Sequence, residues 1–330
     1  MRERVLQFHR QNLSANHPDI ARAMHNLASC LNRNGELQRS FDMSIEALRM
    51  LVASLPPAHP HLVALQRQLV ETCEQLADWF DKLGRHQDIC VVLQKALKWV
   101  STVTDVSDHN VNVGTLMCKL YCAYLALGQY PDAASWQEQG LAVYRRELPK
   151  DHLTTCGAMC NLAYVYSRLG RHQEALELRQ KTLEVYRRVL PQDHPDLGQG
   201  MNNLARSLQD LGRFTTALPL FEESLQFNKR VLPKNHPTIA SSMNNVALTL
   251  EALGRHKEAL DFFEQALEFR QRVLPQSDPL IGQSLMNLSS LLRKLSRAKE
   301  ALAMSKKAVE FFRRYLPPHH PETGWVQYCL

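Results

Sequence analysis

"MNNLARSLQDLGR", Met201 to Arg213, sets two asparagines side by side in a stretch that otherwise reads as an amphipathic helix. Asparagine is a poor residue for a helix interior, because its short amide competes for the backbone's own hydrogen bonds. Yet nearly the same string returns as "MNNVALTLEALGR" at Met243 to Arg255, 42 residues later. The flanking text keeps that interval: "LPQDHP" at Leu190, "LPKNHP" at Leu232, "LPQSDP" at Leu274 and "LPPHHP" at Leu316. Upstream it continues more loosely through "LPKDHL" at Leu148, "SDHN" at Ser107, "LPPAHP" at Leu55 and "LSANHP" at Leu13. Self-similarity at such a period predicts a quasi-one-dimensional array, counted as one elongated domain, in which each unit packs only on its neighbours.

One unit reads as two helices. Pro195 suits the first turn of helix A, and Gly212 suits a left-handed cap at its end. Helix B follows with Leu218, Phe221, Leu225 and Val231 on one face and stops before Pro233, while Pro219 is expected to distort its start. Small residues recur where two helices must approach: Ala205, Ala217 and Ser224 here, Ala247, Ala259 and Ala266 one unit on.

The set Ala247, Gly254, Ala259, Phe263, Ala266 resembles the tetratricopeptide repeat signature, whose usual period is about 34 residues. A 42-residue unit with "NNLA" in helix A and an "HP" start is similar to the variant of kinesin light chains and nephrocystin-3-like arrays. The resemblance implies an all-α, right-handed superhelical solenoid of antiparallel helix pairs. Seven complete pairs are expected, at 18–55, 60–103, 109–148, 152–190, 195–232, 237–274 and 279–316, with a partial helix B over 1–14 and the start of a further helix at 321–330. In the second pair, Pro60 to Gly84 is seven residues longer than Pro195 to Gly212, about two turns, so its helix A is expected to lengthen without changing the face it presents. Ser101 to Asp108, which lacks the Leu-Pro stop, is the expected flexible seam.

The second asparagine of the pair recurs as Asn26, Asn161, Asn203, Asn245 and Asn287, a regularity that points to structure, an amide tying one helix to a loop or to the next unit. The first varies: His25, Cys118, Cys160, Asn202, Asn244, Met286. Variable side chains on a repeated scaffold suit a binding face. By the resemblance, helices A line a concave groove, and the first asparagine is similar to kinesin light chain residues that clamp the main chain of an extended cargo peptide. Asn202 and Asn244 are then the leading contacts. Steps of three and four on the same face add Arg206 and Gln209, Leu248 and Glu251, and Ser290 and Arg293, with Tyr164 and Ser167 from the fourth unit. Arg206 and Arg293 read equally well as solvated arginines.

Other chemistry fits poorly. The formal charge of +6 comes with basic residues that cluster in the last turn of each helix B, as in "YRRVL" from Tyr186, where they complement the helix dipole rather than form a nucleic-acid stripe. The longest uncharged run, Met50 to Gln66, holds three prolines, so no membrane insertion is expected. Eight cysteines without a disulfide framework or signal peptide point to reduced thiols in the cytoplasm. Histidines such as His194 and His236 recur in the repeated slots, which suits capping and packing rather than catalysis. Cys118, Cys122, Cys156 and Cys160 do not converge as zinc ligands, and no cofactor motif is present.

The expected protein is a non-enzymatic adaptor or scaffold that holds an extended segment of a protein partner in its groove. The alternative is a sensor or regulatory repeat segment of a larger multidomain protein, such as an NTPase. A third reading pairs the uncapped ends of two copies through Trp325 and Tyr328. No long heptad coiled coil precedes the repeats, so direct assembly with a kinesin heavy chain is not expected.

Overall fold

The computed structural model describes residues 1–15, 17–56, 59–100 and 107–315. They form two compact units, Met1–Arg171 and His172–Leu330, and among the described residues every regular element is helical. The first unit holds α1 (Arg2–Asn12), α2 (Pro18–Arg33), α3 (Leu37–Val52), α4 (Pro60–Lys82), α5 (His86–Val100), α6 (Ser107–Ala126), α7 (Tyr130–Glu147) and α8 (Leu153–Arg168). The second holds α9 (His172–Val189), α10 (Pro195–Asp210), α11 (Phe214–Val231), α12 (Pro237–Ala252), α13 (His256–Val273), α14 (Pro279–Lys294) and α15 (Ala298–Tyr315). Each unit is an all-α helical-repeat stack in which every helix packs on the next in sequence. No helix among the described residues is long and apolar enough to cross a membrane. The expected seam lies outside the described residues at 101–106, whereas Ser107 and Asp108 already belong to α6. The segment 321–330, with Trp325 and Tyr328, also lies outside them.

The repeated "HP" starts α2, α4, α10 and α12 by one device. The Nδ1 of His194 accepts the backbone N–H of Asp196 at 3.2 Å, and His236 does the same for Thr238 at 3.3 Å. Proline follows at the first position, where a missing N–H costs nothing. In α14 an aspartate fills the slot, Asp278 Oδ1 accepting from Leu280 N at 2.9 Å. His236→Ala is therefore expected to destabilise the second unit by about 1 kcal/mol in urea melts, and His236→Asp to restore most of that loss. Equal stability of the alanine variant would show that the histidine cap contributes nothing.

At the other end, Gly212 and Gly254 take φ of +71° and +76°, closing helix A in the left-handed region. The last unit manages with Ser296 at +62°. Pro219 does not shift its helix: α11 starts at Phe214, 42 residues before the start of α13 at His256, so the proline removes one donor inside a helix whose packing holds it in place.

Packing between helices A and B follows the small residues. Ala205, Ala217, Ala247 and Ala259 are fully buried, and Phe221 and Phe263 fill the space beside them at 1% exposure each. A second column, 42 residues apart, holds Tyr144 in the first unit and Tyr186, Asn228, Arg270 and Phe312 in the second. Its members lie against small residues of helix A. A Cβ on Gly282 would stand 2.5 Å from the Phe312 ring, and one on Gly198 would stand 2.3 Å from Asn228 Oδ1. The polar members bond across the stack: Asn228 Nδ2 donates to Ser242 at 3.0 Å, and Arg270 Nη1 donates to Ser284 Oγ at 2.6 Å and to the Leu280 carbonyl at 3.1 Å, while Arg270 Nε is buried without a partner. Burial lowers the affinity of the Arg270 guanidinium for its proton, against the pull of Asp278.

The long helix α4 starts in register, Pro60 lying 42 residues after Pro18, so its seven extra residues overhang at the C-terminal end. There Leu76 and the half-exposed Trp79 stand over the turn between α2 and α3, bounding a cleft of about 290 Å³ with Gly35, Leu37 and Arg39.

Candidate functional site

Within the second unit the two asparagines of the opening motif have different jobs, and they are coupled. Asn245 Nδ2 donates to Asn202 Oδ1 at 2.7 Å, and Asn287 Nδ2 donates to Asn244 Oδ1 at 3.0 Å. The second asparagine of α12 and of α14 thus holds the carbonyl of the first asparagine in the preceding repeat. A held carbonyl fixes the plane of the amide, so the Nδ2 groups of Asn202 and Asn244 are oriented donors on a half-buried face. The polar pair tolerated in a helix interior is a ladder between adjacent helices A.

The other predicted residues fall on both units. On α10, Arg206 is exposed and Gln209 half-buried. On α12, Leu248 is half-buried, and Glu251 is engaged by Lys294 of α14 at 2.8 Å, which leaves its side chain only 12% exposed. Glu251 is therefore already neutralised within the fold. On α14, Ser290 and Arg293 line a cleft of about 520 Å³ with Met286, Asn287, Leu302 and Ser305. Tyr164 and Ser167 lie on α8 in the first unit. Tyr164 is 43% exposed, and the Ser167 hydroxyl is buried without a partner.

In the first unit, sequence reasoning placed His25 at the variable first position but passed over Ser29 and Asn32 of the same register. Counted from the turn glycines Gly35 and Gly212, His25, Ser29 and Asn32 on α2 hold the places of Asn202, Arg206 and Gln209. Burial, and then the neighbouring His61, lower the affinity of His25 for a proton, so the ring is neutral at neutral pH. The signal was in the string, since these residues stand at fixed distances from the turn glycine. Among the described residues no group of three or more histidine, cysteine or acidic side chains is placed to hold a metal ion. Burial pushes the Cys73 and Cys118 thiols upward, away from the reactive thiolate.

Tetratricopeptide repeat family models match residues 20–61, 122–154, 154–229, 196–272 and 282–322, which together make up most of the chain. No curated protein sequence matches it. Among solved structures, it is similar to a putative kinesin light chain with nearly identical repeats from Podosopora anserina, at 24% identity and a TM-score of 0.56, covering 65% of this chain and 98% of that one. It is also similar to BtubC (BKLC) from P. vanneervenii, at 19% identity and a TM-score of 0.56, covering 78% of this chain and 94% of that one. A third similar structure is the Rap conjugation gene regulator of plasmid pLS20 in complex with the Phr* peptide. There the identity is 15% and the TM-score 0.53, with 90% of this chain and 76% of that one covered.

Proposed function

Since the chain belongs to the tetratricopeptide repeat family, we propose that it is a non-enzymatic adaptor whose helices A hold an extended segment of a protein partner. The observation that carries this reading is the pair of oriented amides, Asn202 and Asn244, each fixed through its oxygen by the next repeat and left with Nδ2 donors. Donors of that kind suit the carbonyls of an extended main chain, which gives affinity with little sequence selectivity. Arg206, Gln209, Leu248, Ser290 and Arg293 then select side chains. Glu251 acts through its ion pair with Lys294 rather than as a free carboxylate. The solved Rap complex with the Phr* peptide supports the reading as a case of peptide capture by a similarly folded chain.

The test is photo-crosslinking from two positions of the full chain, using benzoylphenylalanine at Leu248 on the amide face or at the exposed Glu264 of α13. Incubation with cytosol, followed by mass spectrometry of the crosslinked segments, is expected to yield extended partner segments from position 248 and not from 264. Crosslinks of the same segments from 264 alone would move the binding face to helices B.

A further inference from the structure

The register that places Asn202, Arg206 and Gln209 on α10 gives α4 a different set. Counted from Pro60 and Pro195, where α4 keeps register, the same places hold Arg67, Glu71 and Glu74, and Asp78 and Asp81 follow on that face in the overhang. Steps of three, four and three put four carboxylates on one helix face. Lys119 of α6 bonds Asp78 at 2.6 Å, and His86 Nδ1 lies 3.5 Å from Asp81. Arg67, exposed one turn before Glu71, shares the face, so the four acids stand with two cations, Arg67 and Lys119, beside the His86 ring. Burial, with repulsion from Asp78 and Glu71, pushes the Glu74 carboxyl upward against the pull of Lys119.

A second, independent feature adjoins this face. Ser29 Oγ on α2 donates to Gln68 Oε1 on α4 at 2.8 Å, which turns the Gln68 amide onto the residues of α2 that share the groove register. Gln68 is 8% exposed, and its Nε2 has no partner. Asn32 Oδ1 and His25 Nδ1, on the same face of α2, are also buried without partners. Three orphaned polar atoms in one seam are unusual, because buried polar groups are nearly always paired. An amide donor on α4 and an amide acceptor on α2 together match a peptide group, which offers one carbonyl and one N–H. Gln68 and Glu71 are i, i+3 neighbours, so the seam and the acidic face are continuous.

We propose that the groove face of the first unit binds an extended basic segment of a protein partner. Its lysine or arginine side chains lie along Glu71, Glu74 and Asp81, and its main chain passes over the α2–α4 seam, where the buried amides of Gln68 and Asn32 turn outward to meet it. This rests on the reading of the helix A face as a peptide groove, but uses a different unit and different residues. The whole chain carries +6, so a cationic peptide is repelled overall and any attraction is local to this face.

The probe is a short labelled peptide of alternating lysine and serine, titrated into the full chain by fluorescence anisotropy, with a glutamate and serine peptide as its counterpart. Wild type is expected to bind the lysine peptide and not the glutamate peptide, with affinity falling as salt rises. Glu71→Gln/Glu74→Gln, which keeps size and removes charge, should weaken binding by at least about tenfold. Gln68→Leu should weaken it severalfold, Glu264→Gln on the exposed face of α13 should leave it unchanged, and Asn202→Ala/Asn244→Ala is measured beside them. Thermal melts confirm that each variant is folded. Unchanged binding by a folded Glu71→Gln/Glu74→Gln variant, or equal binding of the glutamate peptide, overturns the proposal. Loss only in the asparagine variant overturns it too while supporting the amide reading of the second unit, so the two ideas fail separately.

Discussion

Phe263→Ala is expected to remove about 3–5 kcal/mol from the stability of the second unit. The ring is 1% exposed and lies in one apolar cluster with Val246, Ala247, Leu250, Ala259 and Ala266. Those neighbours are small or lie on two different helices, so they cannot collapse into the space it leaves. The cavity cost then adds to the lost transfer energy. Phe262→Ala, next in sequence but only half-buried, is expected to cost much less. Hydrogen exchange under native conditions is the suitable readout, because stability in a repeat array is local to neighbouring repeats. Loss of protection should centre on α12 and α13. A cost below about 1 kcal/mol would mean that the repeated phenylalanine does not fill the space between helices A and B.

The same residue shows why so much of the fold could be read from the string. Phe221 and Phe263 stand 42 residues apart, as do Ala217 and Ala259, and a feature that recurs at a fixed interval identifies its structural place without knowledge of any contact. Capping was legible for the same reason, through His194, His236 and the glycines that follow each helix A. Departures from the period were harder. The seven extra residues of α4 were visible as a length, but their overhang past the turn between α2 and α3 depends on which end of the helix keeps register, and a count of residues does not decide that. Arg270 and Asn228 were hidden because their places belong elsewhere to Tyr186 and Phe312. They are tolerated there because Ser284 and Ser242 in the next helix A accept their hydrogen bonds, a compensation between residues 14 apart that no local pattern announces.

The candidate site was half legible. The recurrence of the second asparagine pointed to structure and the variation of the first to contact, but the string did not reveal that the two are bonded to each other across repeats. That bond changes the argument about Asn202 and Asn244. A free asparagine on a groove face can turn either its oxygen or its nitrogen to a ligand and loses rotamer freedom on binding. An asparagine whose oxygen is held at 2.7 or 3.0 Å by the next repeat presents its nitrogen in advance. Removing the holder should then act like a weaker form of removing the clamp. Asn245→Ala or Asn287→Ala is expected to weaken partner binding severalfold, though neither residue belongs to the set proposed to touch the partner.

The most direct measurement is the affinity of a partner segment, identified by crosslinking at position 248, for the wild-type chain and for Asn202→Ala/Asn244→Ala. Both proteins should first be shown to melt alike, because each alanine removes one acceptor from a half-buried ladder and leaves Asn245 or Asn287 to bond water. Two oriented donors to carbonyls, each worth about 0.5–1.5 kcal/mol, predict a loss of roughly tenfold or more in affinity with no change in the extended form of the segment. Equal affinity for two equally stable proteins would contradict the account and leave the asparagine ladder as a device of folding alone.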